Sequence, residues 1–266
     1  MNQNEIINPL SDSNEERRLR TMADRWDKEW ISYFNRAPGY FKDFSKPNAD
    51  TKARLIAVKD ALRIENQLKP NGAVSPENPL WRIWLIAAYP SEILNKSILD
   101  IGCGAGGIGR TIGHIVSDYI GIDYSPLALH VARIVSPPNC KYIARFEKKK
   151  IAQFAETRDL AFSRKVFIHQ NFAQATELAN VANSFLKPGG LLIADFWRPT
   201  KDINDPNQRG VTRLAKDELN PNVPSSGFVY TESELIELGQ LTGFKYLNRI
   251  TVPKENSEIV RFQKIK

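Results

Sequence analysis

The sequence predicts an α/β fold, in which a seven-stranded, mostly parallel sheet carries helices on both faces and a helical N-terminal cap precedes it. From Ser97 onward, short apolar runs alternate with helical stretches, a pattern typical of a parallel sheet wrapped by helices. A glycine-rich turn follows the first of these runs. Before Ser97, apolar residues recur at helical spacing and no strand pattern is visible, which indicates the cap.

The N-terminal part divides into two segments. Residues 1–20 are mostly polar, so we expect a flexible segment there. Residues 21–92 are expected to form the helical cap, with helices from Thr21, over about 50–68 and over about 80–88. An aromatic stripe of Trp26, Trp30 and Tyr33 marks the first helix. This stripe either packs the cap onto the sheet or forms a lid over a ligand.

Residues 93–266 are predicted to form one ligand-binding domain. Its strands are expected near residues 97–101, 119–123, 141–146, 160–162, 191–196, 244–250 and 259–265. Residues 198–230 contain four prolines and little apolar periodicity. We therefore expect this segment to be a long excursion that serves as a lid or substrate loop.

Composition excludes several classes of protein. The 266 residues are 42% hydrophobic and 25% charged, which excludes disorder throughout the chain and fibrous repeats. Two cysteines, Cys103 and Cys140, make neither a disulfide framework nor a CxxC metal pair. No apolar stretch approaches the ~20 residues of a membrane span, and no secretory signal is visible. We expect a cytoplasmic protein without a bound metal or a membrane partner.

The strongest motif is the glycine-rich turn after the first strand. Its glycines lie at alternate positions, namely Gly102, Gly104 and Gly106. Without Cβ atoms the backbone turns sharply and approaches a ligand closely. Asp100 ends the first strand and could accept from a ligand ammonium group, and Asp123 ends the second and could bind ribose hydroxyls. The turn and Asp123 together predict an adenosine-type ligand. A GxGxxG interpretation that ends at Gly107 leaves an NAD dehydrogenase open.

A family resemblance favours one of these ligands. Residues 100–106, 121–126, 159–163 and 186–195 resemble, in the same order, the motifs of class I S-adenosylmethionine-dependent methyltransferases. The last of these motifs is one that a dehydrogenase does not require. The resemblance implies a Rossmann-like fold, S-adenosyl-L-methionine as cofactor and methyltransferase activity.

The resemblance also implies roles for individual residues. Asp100 would receive the methionine amino group, directly or through water. Asp123 would bind the ribose hydroxyls, and Tyr124 would flank the adenine. The family often places an acid just after the third strand. Here either Glu147 is shifted by one position or Phe146 packs on the adenine instead. The implied cofactor-binding set is Asp100, Gly102, Cys103, Gly104, Gly106, Asp123, Tyr124, Phe146, Glu147 and Ser163.

The acceptor side is expected around the fourth and fifth strands and the cap. Its candidate substrate or lid residues are Trp26, Trp30, Tyr33, Arg164, Phe167 and Trp197. His169 follows the fourth strand and is interpreted either as a general base or as a packing residue.

The function indicated by these residues is methyl transfer to an oxygen or nitrogen of a small molecule or short peptide, mainly by positioning the nucleophile in line with the methyl group. A net charge of +7 leaves a nucleic-acid methyltransferase as an alternative, although no Asn/Asp-Pro-Pro-Tyr/Trp motif follows the fourth strand. A non-catalytic cofactor-binding protein is the other alternative. The oligomeric state stays open.

Overall fold

The computed structural model describes residues 9–36, 92–197, 228–251 and 257–265. Residues 37–91 of the expected cap and residues 198–227 of the expected excursion lie outside this part. Along the chain the elements are α1 (Pro9–Arg36), β1 (Ser97–Ile101), α2 (Gly107–Ile112), β2 (Asp118–Asp123), α3 (Pro126–Val135), β3 (Cys140–Ala144), α4 (Lys148–Ala152), β4 (Arg158–Ser163), a short 3-10 helix (Phe167–His169), α5 (Phe172–Phe185), β5 (Leu186–Trp197), α6 (Glu232–Leu241), β6 (Phe244–Thr251) and β7 (Ser257–Lys264). None of these described helices is both long enough and apolar enough to cross a membrane.

Within the described residues, seven strands form one sheet in the order β3-β2-β1-β4-β5-β7-β6. The first five strands in this order are parallel, and β7 runs antiparallel between β5 and β6. The predicted seven-stranded, mostly parallel sheet is therefore confirmed. Strand order reverses between β1 and β4, and open α/β sheets bind ligands at the carboxyl ends of the strands beside such a reversal.

Apolar side chains cover both faces of the sheet. All five residues of β1 are buried, as expected for a parallel strand covered on both sides. Its alternate residues point to opposite faces, so that Ile98 belongs to one apolar cluster and Leu99 to the other. The second cluster includes side chains of α5 and α6. The apolar runs of the central strands are thus explained by burial on both faces.

The helix α1 begins earlier than the sequence suggested. Helix starts at Pro9, so the expectation of a flexible segment over residues 1–20 is wrong for residues 9–20. Leu19 is buried, with 1% of its surface exposed, and Arg18 forms an ion pair of 2.8 Å with Glu177 of α5. The exposed side of a helix that packs on the protein is as rich in polar residues as a flexible tail. Composition alone therefore could not distinguish the two.

Candidate functional site

The glycine-rich turn connects β1 to α2 at the carboxyl edge of the sheet. Gly102, Gly104 and Gly106 have φ angles of 71°, 53° and 77°, in the left-handed region that glycine adopts without steric cost. The amide of Gly102 donates to the carbonyl of Ile122 over 2.8 Å, which fixes the turn to β2. The three alternate glycines of the sequence thus stand at the positions where the backbone is left-handed.

Three neighbours approach this turn so closely that no side chain fits on it. A Cβ atom on Gly102 would lie 2.2 Å from Cγ2 of Val166, in the loop after β4. A Cβ on Gly104 would lie 2.5 Å from Cζ2 of Trp30, on α1, and Gly106 meets α3 in the same way. The turn is therefore held between the loop after β4, the helix α1 and the helix α3.

Asp123 joins the turn to the start of α3. One carboxylate oxygen accepts from the amide of Gly104 and the other from the amide of Ser125, each over 2.9 Å. Burial raises the pKa of Asp123, although these amide donors oppose the rise. A carboxylate offers about four lone-pair sites, so acceptor capacity remains beside these amide donors. The residue can thus accept hydroxyl donors from a ligand while it holds the turn.

Asp27 of α1 reinforces the same region. Its carboxylate accepts from the amide of Leu127 over 3.1 Å and from the hydroxyl of Ser125, the residue that caps the start of α3. An acid at a helix N-terminus is electrostatically favourable. Sequence reasoning missed Asp27, because only the packing of α1 brings it to a helix nearly one hundred residues away.

Asp100 does not present its carboxyl group at the surface of the site. It is 1% exposed, and the hydroxyl of Tyr119 donates to it. Burial raises the pKa of Asp100 to about 7, although the bond from Tyr119 opposes the rise. The predicted contact with a ligand ammonium group, directly or through water, stays a prediction, and the structure shows this carboxyl group bonded to Tyr119 inside the protein.

Two further residues of the predicted cofactor set have buried side chains. Cys103 points into the sheet, because a Cβ on Gly121 of β2 would lie 2.8 Å from its Sγ. Only the backbone of Cys103 is left to meet a ligand. Ser163 is fully buried, and its hydroxyl donates to the carbonyl of Ile101 over 2.8 Å. Its contribution is to tie the end of β4 to the end of β1.

The residues that follow β2 and β3 lie at the same carboxyl edge of the sheet as the turn. Tyr124 is half-buried, and burial raises its pKa. The guanidinium carbon of Arg20, on α1, lies 4.9 Å from the ring centroid of Phe146. Glu147 uses one carboxylate oxygen for the amide of Ala144, over 3.0 Å, and the other for Lys150. Of the two residues predicted to contact the adenine, Glu147 thus has both carboxylate oxygens bonded to neighbouring residues of its own chain segment.

An aromatic cluster gathers three of the predicted acceptor-side residues, namely Trp26, His169 and Trp197. The ring centroid of His169 lies 6.2 Å from that of Trp26 and 6.3 Å from that of Trp197. His169 ends the 3-10 helix after β4, and Trp197 ends β5. The cluster therefore stands at the carboxyl edge of the sheet, where α1 crosses it.

Other predicted acceptor-side residues lie elsewhere. Phe167 is fully buried and packs on Phe196 at a centroid distance of 4.9 Å. Its prediction as a substrate or lid residue is wrong, because the 3-10 helix turns this ring into the core and leaves His169 at the edge. Arg164 is half-buried near Asp195, and the side chain of Tyr33 lies outside the described part.

Asp195 is a buried acid at the end of the motif over residues 186–195, and it was not among the predicted site residues. It is fully buried in β5, and its Oδ1 accepts from the amide of Lys165 over 2.6 Å. Its Oδ2 is buried and has no hydrogen-bond partner among the residues that the structure describes. Burial raises the pKa of Asp195 to about 6, against the opposing effect of the Lys165 amide. The sequence feature that marks this residue is an acid inside the apolar run of a strand.

The turn and Asp123 fit a nucleoside cofactor. The Cβ sides of its glycines are packed against Val166, Trp30 and α3, so that only main-chain atoms of the turn are left to meet a ligand. The Asp123 oxygens retain acceptor capacity beside the turn. These are the features that a ribose and a flexible chain attached to it require. Across the described ranges, no group of three or more His, Cys, Asp or Glu side chains is arranged to hold a metal ion.

Comparisons with known proteins identify the family of this chain. A protein-family model described as "Methyltransferase domain" matches residues 94–240. A ubiquinone biosynthesis O-methyltransferase of Erwinia tasmaniensis is 25% identical over 130 residues, which are 48% of this chain and 51% of that protein. The chain thus spans about half the length of the curated relative it matches.

Two solved structures were compared with this chain, and the first supports its fold. The PH0226 protein of Pyrococcus horikoshii OT3 aligns with 74% of this chain and 97% of its own, at 17% identity and a TM-score of 0.52. A magnesium protoporphyrin IX methyltransferase of Synechocystis PCC 6803, solved with bound S-adenosylmethionine, aligns with 68% of this chain and 75% of its own, at 15% identity and a TM-score of 0.46.

Proposed function

This chain belongs to the methyltransferase domain family and is an S-adenosylmethionine-dependent methyltransferase, and on that premise we propose that it methylates a hydroxyl or amine of a small molecule with a flat, apolar part. The observation that carries the proposal is the aromatic cluster of Trp26, His169 and Trp197. Aromatic walls suit a flat apolar ligand. The name of the curated relative, an O-methyltransferase of ubiquinone biosynthesis, supports an oxygen acceptor.

The cofactor is proposed to lie across the glycine-rich turn. Asp123 would bind its ribose hydroxyls, the backbone of the turn would hold its methionine part, and Tyr124 and Phe146 would flank its adenine. When bound, S-adenosylmethionine supplies an electrophilic methyl group whose bonding electrons leave with the sulfur. The protein's own residues then have to place the acceptor and exclude water.

Positioning is proposed to be the main catalytic contribution. Alignment of a nucleophile within a closed site supplies up to ~7–11 kcal/mol in favourable cases. A hydroxyl or a protonated amine must also lose a proton. His169 is half-buried between the two tryptophans, and we assign it the role of taking that proton on a ring nitrogen.

The helix α1 is proposed to act as the lid. Trp26 and Trp30 lie one turn apart on it, and they contact His169 and Gly104 respectively. One helix therefore touches both the proposed acceptor pocket and the cofactor turn. Closure of α1 would exclude water from both at once.

The experiment that tests the acceptor class follows a labelled methyl group. Purified protein is incubated with methyl-labelled S-adenosylmethionine and a host-cell extract that contains small molecules and nucleic acids, and mass spectrometry identifies the compounds that gain label. We expect label on a flat small molecule. Trp26→Ala and Trp197→Ala should raise the KM for that compound by ~5-fold or more, since each removes ~1–3 kcal/mol of aromatic contact.

A matched control and two contrary outcomes complete this test. Ile31→Ala alters α1 at a side chain that is 50% exposed, and it should leave KM unchanged. Label that appears only on RNA or DNA would favour the nucleic-acid alternative. Cofactor binding without label on any compound would favour a non-catalytic protein, and either result would overturn the proposed acceptor.

A further inference from the structure

The loop after β4 contains a strained residue next to the cofactor turn. Lys165 has a φ angle of 58°, in the left-handed region that residues with a Cβ atom adopt at a cost of ~1–2 kcal/mol. The next residue, Val166, places Cγ2 where a side chain on Gly102 would lie. The left-handed bend therefore sets the position of the group that packs against the turn.

Asp195 supplies a bond that favours this bend. Its Oδ1 accepts from the Lys165 amide over 2.6 Å, and a hydrogen bond to a charged acceptor is stronger than one between neutral groups. On the other side of the loop, the Ser163 hydroxyl donates to Ile101 at the end of β1. The loop is thus attached to β5 at one point and to β1 at another.

The geometry points to Asp195 as a positioning residue for cofactor binding: it holds Lys165 in its left-handed conformation and thereby keeps Val166 against Gly102 of the glycine-rich turn. This inference rests on the proposed role of that turn in holding the cofactor. Asp195 acts through Lys165 and Val166, and it need not touch the cofactor.

The test measures binding of S-adenosylhomocysteine, the demethylated cofactor, by calorimetry, so that no turnover is needed. Asp195→Ala should weaken binding by about 10- to 100-fold, the effect of losing a hydrogen bond to a charged group. Asp195→Asn keeps an acceptor oxygen at the same place and should bind within ~3-fold of the wild type. Val166→Ala should weaken binding by ~3- to 10-fold without altering Asp195.

A double variant separates positioning from general destabilisation. Lys165→Gly removes the conformational cost of the left-handed bend. Added to Asp195→Ala, it should therefore recover at least ~3-fold of the lost affinity. If Asp195 only stabilised the fold, a glycine in the loop would not restore the affinity that Asp195→Ala loses.

The outcomes distinguish this inference from the proposed function. Normal binding by both Asp195→Ala and Val166→Ala overturns the positioning role and leaves the proposed function standing. Equal loss of affinity in Asp195→Asn and Asp195→Ala also overturns it, because the acceptor oxygen would then not be the feature that matters. Failure of the wild type to bind would instead overturn the proposed use of the turn. If Asp195→Ala does not fold, Val166→Ala and Asp195→Asn carry the test.

Discussion

Replacement of Asp100 by Asn should make the protein more stable at pH 8 and have little effect at pH 4. The carboxyl group is 1% exposed, and burial raises its pKa from the ordinary value of 3.8 to about 7. Between these values the folded chain retains a proton that the unfolded chain has lost, so stability falls as pH rises. At ~1.4 kcal/mol per pH unit, the full difference is at most ~4 kcal/mol. An Asn side chain keeps an oxygen for the Tyr119 hydroxyl and has no charge to bury.

Urea unfolding of the wild type and of Asp100→Asn at pH 4, 5, 6, 7 and 8 measures this effect. The difference in free energy of unfolding should grow from pH 4 to pH 7 and then level off. Asp159→Asn is the contrasting control. Burial alone would raise the pKa of Asp159, but bonds from Lys187 and Ser97 outweigh it and lower the pKa to about 2, so this variant should be less stable throughout. A difference for Asp100→Asn that is constant with pH would refute the assignment of a buried acid.

Three further predictions concern the turn, the lid and the adenine. Gly102→Ala should lower the free energy of unfolding by ~2–5 kcal/mol in urea titrations. A Cβ atom in the left-handed region and the overpacked contact with Val166 each destabilise the folded state. An unchanged midpoint would contradict the contact with Val166. Asp27→Ala should lower it by ~1–2 kcal/mol and increase hydrogen exchange in α1, and unchanged exchange would show that this carboxylate does not hold the helix. Phe146→Ala should weaken S-adenosylhomocysteine binding by ~10-fold while Glu147→Gln stays within ~2-fold, and the reverse order would assign the adenine contact to Glu147.

The sequence predicted the parts of the fold that depend on local pattern. Alternation of apolar runs with helices identified the parallel sheet, and glycines at alternate positions identified the turn, because both patterns follow from backbone geometry. The N-terminus of α1 was missed for the opposite reason. The polar residues that precede Leu19 are compatible with a free tail and with an exposed helix face, and only contact with α5 distinguishes the two.

The candidate site was predicted unevenly for a similar reason. Sequence position placed Asp123 and His169 at the carboxyl edge, because Asp123 ends a predicted strand and His169 follows another. Position alone did not reveal that Phe167 turns into the core while His169 stays at the edge. The roles of Asp27 and Asp195 depend on backbone amides far away in sequence. An acid within the apolar run of β5 marked Asp195 as unusual, but no local pattern indicated which amide either residue binds.

The most direct test of the central claim, that the glycine-rich turn and Asp123 hold the nucleoside cofactor, is a calorimetric titration of the wild type and of Asp123→Ala with S-adenosylhomocysteine. The wild type should bind one equivalent, and the variant should bind at least ~30-fold more weakly, since it loses both the ribose acceptor and the bonds that fix Gly104 and Ser125. Equal affinity of the two proteins would contradict the claim.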